Sequence, residues 1–260
     1  MARQSQPPII TDPLPPPMTH YTIGESEPLL GRDRLTQVRR EAESGEPEDA
    51  GVPLWSNLTS GTALLAQIGG IALVVNVWTS VFRNKLLLFS GHPLLNSVGI
   101  ALLLESTLLL QPTHTPAHKR KGAIIHSVLN GTALVLMYTA FVFILVSKVQ
   151  HHGVHFESAH AILGLITYIL LFAQGTVGML QFYFPSVYGG EAKAKAIYKY
   201  HRMSGYVIFL FILATAVAVT YTEYVHNVLK IRTWFVVLAG VLILFGILPR
   251  VDFKKFGLSA

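Results

Sequence analysis

The chain contains no cysteine. Disulfides, iron–sulfur ligation, a thiolate-ligated haem and covalent haem attachment through a cysteine pair are therefore excluded. Charge is also scarce. Only 13% of the 260 residues are charged, against about 25% in an ordinary soluble domain, and 51% are hydrophobic. There is no glycine-rich dinucleotide fingerprint and no room for a flavin domain, so direct use of NADPH is not expected. The amino terminus, MARQSQPPIITDPLPPP, lacks the basic-then-apolar order of a signal peptide. Insertion into a membrane is therefore expected to start at the first internal apolar segment. A net charge of +6 in so apolar a chain reads as basic loops facing the cytosol, not as a nucleic-acid surface.

What the chain does have is apolar length. Six stretches, approximately 60–82, 90–111, 124–147, 157–181, 203–222 and 233–249, approach the roughly 20 helical residues needed to cross about 30 Å of hydrocarbon. Lipid cannot hydrogen-bond the backbone, so each stretch is expected to be a helix. None shows the alternation of a barrel strand. The expected fold is an all-α membrane protein of six transmembrane helices.

Residues 1–55 carry nine of the fourteen prolines and read as a disordered cytosolic tail, because they cannot bury enough apolar surface to offset the entropy of ordering. The six-helix domain is expected over 56–250, with a short cytosolic tail at 251–260. Within the long tail, Glu25-Ser-Glu-Pro-Leu29-Leu30 has the form of an acidic dileucine sorting signal, which points to a vacuolar or endolysosomal membrane. The polar breaks set the orientation. With the tail in the cytosol, Lys119, Arg120, Lys121, Lys193, Lys195, Lys199, Arg202, Arg250, Lys254 and Lys255 share its side. Only Arg83, Lys85, Lys148, Lys230 and Arg232 lie opposite. The excess favours both termini in the cytosol. Asn57-Leu-Thr59 is a glycosylation sequon that this topology leaves unmodified.

Four of the eleven histidines fall in consecutive apolar segments: His92, His126, His160 and His201. Each lies near the start of its segment. Successive helices run antiparallel, so His92 and His160 are expected together near the non-cytosolic face and His126 and His201 near the cytosolic one. Two imidazoles on facing helices are what a six-coordinate b-type haem requires. Two such pairs near opposite ends of helices about 30 Å long would stand roughly 20 Å apart. The same four residues are also compatible with a haem-free transporter that relays protons, or with a haem-bearing sensor of low turnover. Gly91, Gly164, Gly175, Gly178 and Gly205 near these histidines leave room for a flat guest, or for close helix packing. Glu105, within the second segment, requires a partner or a proton-transfer role.

The residues Phe89-Ser-Gly-His92-Pro93, Ile125-His126 after Lys119-Arg120-Lys121, Ser158-Ala-His160-Ala-Ile-Leu-Gly164 and Tyr200-His201-Arg-Met-Ser-Gly205-Tyr206 together resemble the cytochrome b561 family. The resemblance runs over about residues 60–250. It implies a central four-helix bundle holding two non-covalent b-type haems, usually in a homodimer. His92 would pair with His160, and His126 with His201. It further implies a transmembrane oxidoreductase taking electrons from cytosolic ascorbate to monodehydroascorbate or a ferric chelate on the far side, in an endomembrane such as the endoplasmic reticulum or vesicles. Asn96 and Ser97 stand near where family members often carry a methionine. Ascorbate is an anion, so Lys119, Arg120, Lys121, Lys195 and Lys199, with Tyr198, are the candidate donor site. On the opposite side His151, His152 and His155 are candidates for meeting a metal or ferric chelate.

Overall fold

A computed structural model describes residues 53–111 and 116–256, the side chains of residues 116, 117, 254 and 255 excepted. The proline-rich tail, its dileucine motif and the last four residues lie outside them. Six helices are long and apolar enough to cross a membrane. Their α-helical parts are α1 (Ala63–Phe82), α2 (Gly91–Leu109), α3 (Pro116–Gln150), α4 (Ala159–Tyr183), α5 (Tyr198–Ala218) and α6 (Thr233–Ile247), the last carried on to Arg250 by a 3-10 turn. The chain is a multi-pass integral membrane protein. Its outward side chains agree with lipid as solvent: Ile68, Ile71, Val135, Ile169, Phe172 and Phe245 are all exposed. Trp55, Tyr183 and Tyr200 near one end, and Tyr221 and Trp234 near the other, are exposed in the manner of interfacial aromatic belts.

The helices close into a ring in chain order, and α6 returns to pack on α1. Small residues set that closure. A Cβ on Gly69 would lie 2.6 Å from the Ala239 carbonyl oxygen, and one on Gly246 would press on the Ala66 backbone. The Thr62 hydroxyl donates to the Gly246 carbonyl at 3.0 Å across the same seam. Membrane helices gain little from apolar contact with one another beyond what lipid offers, so backbone proximity and such hydrogen bonds hold the seam. The main core gathers Leu104 and Leu108 of α2, Ala133 and Met137 of α3, Ile212 of α5 and Ile243 of α6. A smaller cluster of Val81, Val225, Leu229 and Val236 seals one end of α1 and α6.

Helix boundaries differ from the hydropathy reading in one place that matters. The polar stretch from Pro112 to Gly122, read as a break, is helical from Pro116 onward, and α3 is 35 residues long. Proline is tolerated in a first helical turn, where no donor is required, and the following Ala-His-Lys-Arg-Lys are adequate helix formers. Hydropathy sees only the apolar part of such a helix. His126 therefore sits ten residues inside α3 and does not open it. Elsewhere the breaks contain short turns: a 3-10 turn at Pro185–Tyr188, a helix at Glu191–Ala196 and a π-helical turn at Tyr224–Leu229.

Leu54–Leu58 forms a 3-10 turn with Leu54 buried. This segment is tied to the domain by Asn57, whose Nδ2 donates to the Leu109 carbonyl at 3.0 Å. The same nitrogen is the atom that a glycan on the sequon would occupy.

Candidate functional site

The site is built on the four helices α2 to α5, each bearing one histidine. His92 is the second residue of α2, and His160 is the second residue of α4. The start of α4 is held by Ser158, whose hydroxyl accepts from the Ala161 N–H at 3.1 Å, an N-cap bond. The His92 and His160 rings meet across the bundle with centroids 6.2 Å apart, and Phe89 stacks on His92 at 6.0 Å. Toward the other end of the bundle, His126 Nδ1 lies beside the Ser106 carbonyl and the His201 ring lies against Gly178. All four are half-buried. Antiparallel topology places His92 beside His160, and these two rings are neighbours.

The pair α2 and α3 carries a reciprocal pattern, and the pair α4 and α5 carries half of it. His92 Nδ1 lies 3.0 Å from the carbonyl of Ala140, fourteen residues beyond His126 on α3. His126 Nδ1 lies 3.3 Å from the carbonyl of Ser106, fourteen residues beyond His92 on α2. His160 Nδ1 lies 3.1 Å from the carbonyl of Thr215, fourteen residues beyond His201 on α5. The fourth case breaks the pattern. Gln174, fourteen residues beyond His160, uses its side-chain nitrogen to donate to the His201 carbonyl at 2.6 Å. Among the described residues, the buried His201 Nδ1 finds no hydrogen-bond partner. Fourteen residues of helix span about 21 Å, which separates the two pairs along the bundle axis.

These bonds select a chemistry. A carbonyl only accepts, so Nδ1 of His92, His126 and His160 carries the proton and Nε2 keeps its lone pair. That is the tautomer of a histidine that ligates metal through Nε2, with the backbone orienting the ring from behind. The spacing agrees. Two imidazoles sharing one metal at bonds of about 2 Å each, plus the two ring radii, have centres roughly 6 Å apart, and His92 and His160 have theirs at 6.2 Å. Among the described residues, no group of three or more histidine, cysteine, aspartate or glutamate side chains gathers to hold a metal. The donors come in pairs, which fits a macrocyclic iron complex needing two axial ligands. Residues and cofactor class therefore fit.

The glycines divide by role. A Cβ on Gly178 would lie 2.7 Å from His201 Cε1, so this glycine admits the ring. Gly91, Gly175 and Gly205 face Phe143, Leu134 and Gln174 and serve helix packing. A Cβ on Gly164 would meet only Thr215, at 3.8 Å. Glu105 has its partner in α1: Gln67 Nε2 donates to the carboxylate at 2.8 Å. The basic run Lys119, Arg120 and Lys121 is exposed on the extension of α3, Lys199 is exposed and Lys195 half-buried. The Tyr198 hydroxyl is buried and has no hydrogen-bond partner among the described residues. On the opposite side, His151 Nδ1 engages the Ser147 carbonyl at 2.8 Å, while His152 and Phe156 adopt left-handed backbone angles in an exposed turn.

Sequence reasoning singled out the histidines but not the supports Ser106, Asn130 and Tyr168. A signal existed. His92 and His126 are each followed four residues later by asparagine, His160 and His201 by glycine.

A family profile for eukaryotic cytochrome b561 matches residues 91–227, more than half of the chain. The "putative transmembrane ascorbate-dependent reductase CYB561 homolog" of Caenorhabditis elegans is 26% identical over 189 residues, covering 65% of this chain and 67% of that protein. The "ascorbate-specific transmembrane electron transporter 2" of Zea mays is 27% identical over 153 residues, 56% of this chain and 64% of its own length. The human "transmembrane ascorbate-dependent reductase CYB561" is 28% identical over 159 residues, 58% of this chain and 62% of its own. The chain thus spans slightly less than two thirds of the maize and human relatives. With the match over α2 to α5 and the helices observed, it belongs to the eukaryotic cytochrome b561 family.

Proposed function

We propose that the chain is a transmembrane oxidoreductase that takes electrons from ascorbate on the cytosolic face and delivers them to monodehydroascorbate or a ferric chelate on the other. The observation that carries this is the cross-bundle contact of His92 with His160, with three of the four histidine rings held by backbone carbonyls in the ligating tautomer. His126 and His201 would hold one b-type haem and His92 and His160 a second. When bound, each haem supplies an iron that is reversibly reduced by one electron. The names of the relatives support ascorbate as donor. A homodimer in an endomembrane, with both termini cytosolic, completes the reading.

The chain's own residues then have distinct tasks. The carbonyls of Ala140, Ser106 and Thr215 hold the rings and, by accepting their Nδ1 protons, make the Nε2 atoms better donors. Lys119, Arg120 and Lys121, with Lys195 and Lys199, attract the ascorbate anion and orient it near the His126–His201 end. Burial of both pairs among apolar helices excludes water from the path between the faces.

Reduced-minus-oxidised spectra of the purified protein test the assignment. Ascorbate is expected to reduce a b-type chromophore. Changing Lys119, Arg120 and Lys121 together to alanine should raise the ascorbate concentration for half-reduction about tenfold, and the wild-type value should rise with salt. Folded protein without b-type absorbance would sink the reading. Reduction by dithionite but not by ascorbate would remove the proposed donor.

Orientation has a clean test because the chain has no cysteine. Single cysteines at Lys121 and at His152 are expected to react with a membrane-impermeant maleimide from the cytosolic and the opposite face, respectively. The reverse labelling would exchange donor and acceptor sides.

A further inference from the structure

Asn96 stands beside His92 and Tyr168 stands behind Asn96, and neither belongs to a histidine pair. Asn96 lies one turn beyond His92 on α2. Its Nδ2 donates to the His92 carbonyl at 2.9 Å. A carbonyl cannot donate, so the amide nitrogen must face the histidine and the amide oxygen must face away. That oxygen accepts from the hydroxyl of Tyr168 at 2.8 Å. Tyr168 is 9% exposed in the core, and the Tyr138 hydroxyl on α3 donates to its carbonyl at 2.8 Å. Three helices thus hold one amide in one orientation.

The consequence falls on the His92 ring. Asn96 Nδ2 stands 3.4 Å from His92 Nδ1, while the Nδ1 proton is already given to Ala140. The amide therefore presents its positive end to the ring without accepting from it. A positive dipole end beside a ligating imidazole disfavours the more highly charged, oxidised iron. If the amide turned, its oxygen could compete for the Nδ1 proton and have the opposite effect. The hydroxyl of Tyr168 opposes that turn. The other histidine pair differs: Asn130 Nδ2 donates to the His126 carbonyl at 2.6 Å and to the Ser106 hydroxyl at 2.9 Å. At the corresponding positions α4 and α5 have Gly164 and Gly205, which carry no dipole.

We propose that Asn96 and Tyr168 are positioning residues that orient His92 and raise the midpoint potential of the haem held by His92 and His160, leaving the other haem unaffected. The proposal rests on the haem assignment above.

The test is an equilibrium redox titration of the full-length protein in lipid nanodiscs, followed at the b-type absorbance. Tyr168→Phe removes only the hydroxyl, and Asn96→Leu removes the amide at similar volume. Both variants are expected to bind two haems. In each, one midpoint potential should fall by a tenfold change in the reduction equilibrium, about 59 mV for a one-electron couple, while the second stays at its wild-type value. Two haems with both potentials unmoved would overturn the proposal, as would an equal shift of both. If Asn96→Leu does not fold, the conservative Tyr168→Phe decides alone by the same criterion. Wild-type protein without haem would instead refute the underlying assignment, so the two failures are distinguishable.

Discussion

Changing His160 to alanine is expected to remove about half of the b-type absorbance of the purified protein, and His92→Ala should remove the same half. If His92 and His160 hold a b-type haem as proposed, it has no covalent tether, and loss of either imidazole leaves a single bond where two were required. The rings concerned face one another at 6.2 Å, so the double variant of His92 and His160 should lose no more than either single one. Such non-additivity is the mark of two residues acting as a unit. Combining His160→Ala with His201→Ala should abolish the signal, because the pairs lie about 21 Å apart along the helices and share no ligand. Quantitative haem content of monodisperse protein reads all four variants. Full haem retention in any single variant would remove that residue from the ligand set. Equal loss of both haems from every variant would point to one shared site.

The second large effect is structural and concerns Arg250, which follows α6. Its Nη1 donates to the Ser60 carbonyl at 2.7 Å. Its Nη2 donates to the Asn57 carbonyl at 2.8 Å and lies 3.4 Å from that of Leu108. One guanidinium thus joins the last helix to the turn before α1 and to the end of α2, where the last carbonyls lack helical partners. Hydrogen bonds from a charged donor contribute about 1.5–3 kcal/mol each, with part of that lost to solvent at the exposed Ser60 contact. Arg250→Met is therefore expected to cost about 2–3 kcal/mol and to lower the thermal midpoint by roughly 5–10 °C. Arg250→Lys should recover little of it, since one ammonium cannot reproduce the fork. Thermal unfolding in micelles checks this. A midpoint within a degree of wild type would show that the carbonyls are satisfied without Arg250.

Both expectations depend on how far sequence could be read. Hydropathy located all six helices because lipid forces apolar runs to be helical, and that constraint is local. It missed the first two turns of α3, where Pro116, Lys119, Arg120 and Lys121 form helix outside the apolar stretch. It also counted glycines without separating Gly178, which admits the His201 ring, from Gly91, which packs on Phe143. That distinction lies in neighbours distant in sequence. Arg250 looked like one more basic residue on the cytosolic side, because its partners are backbone carbonyls, which no residue identity announces.

The four histidines divide in the same way. Their candidacy and expected pairing came from the sequence alone: one per consecutive apolar segment, sorted to alternate ends by antiparallel crossing. Only the tertiary structure decided which ring nitrogen carries the proton, since that depends on the carbonyls of Ala140, Ser106 and Thr215 arriving from neighbouring helices. It alone also decided that Asn96 turns its nitrogen toward His92, because Tyr168, 72 residues away, holds the other end of the amide. Hydropathy is a property of a segment, whereas hydrogen-bond direction is a property of which segments meet.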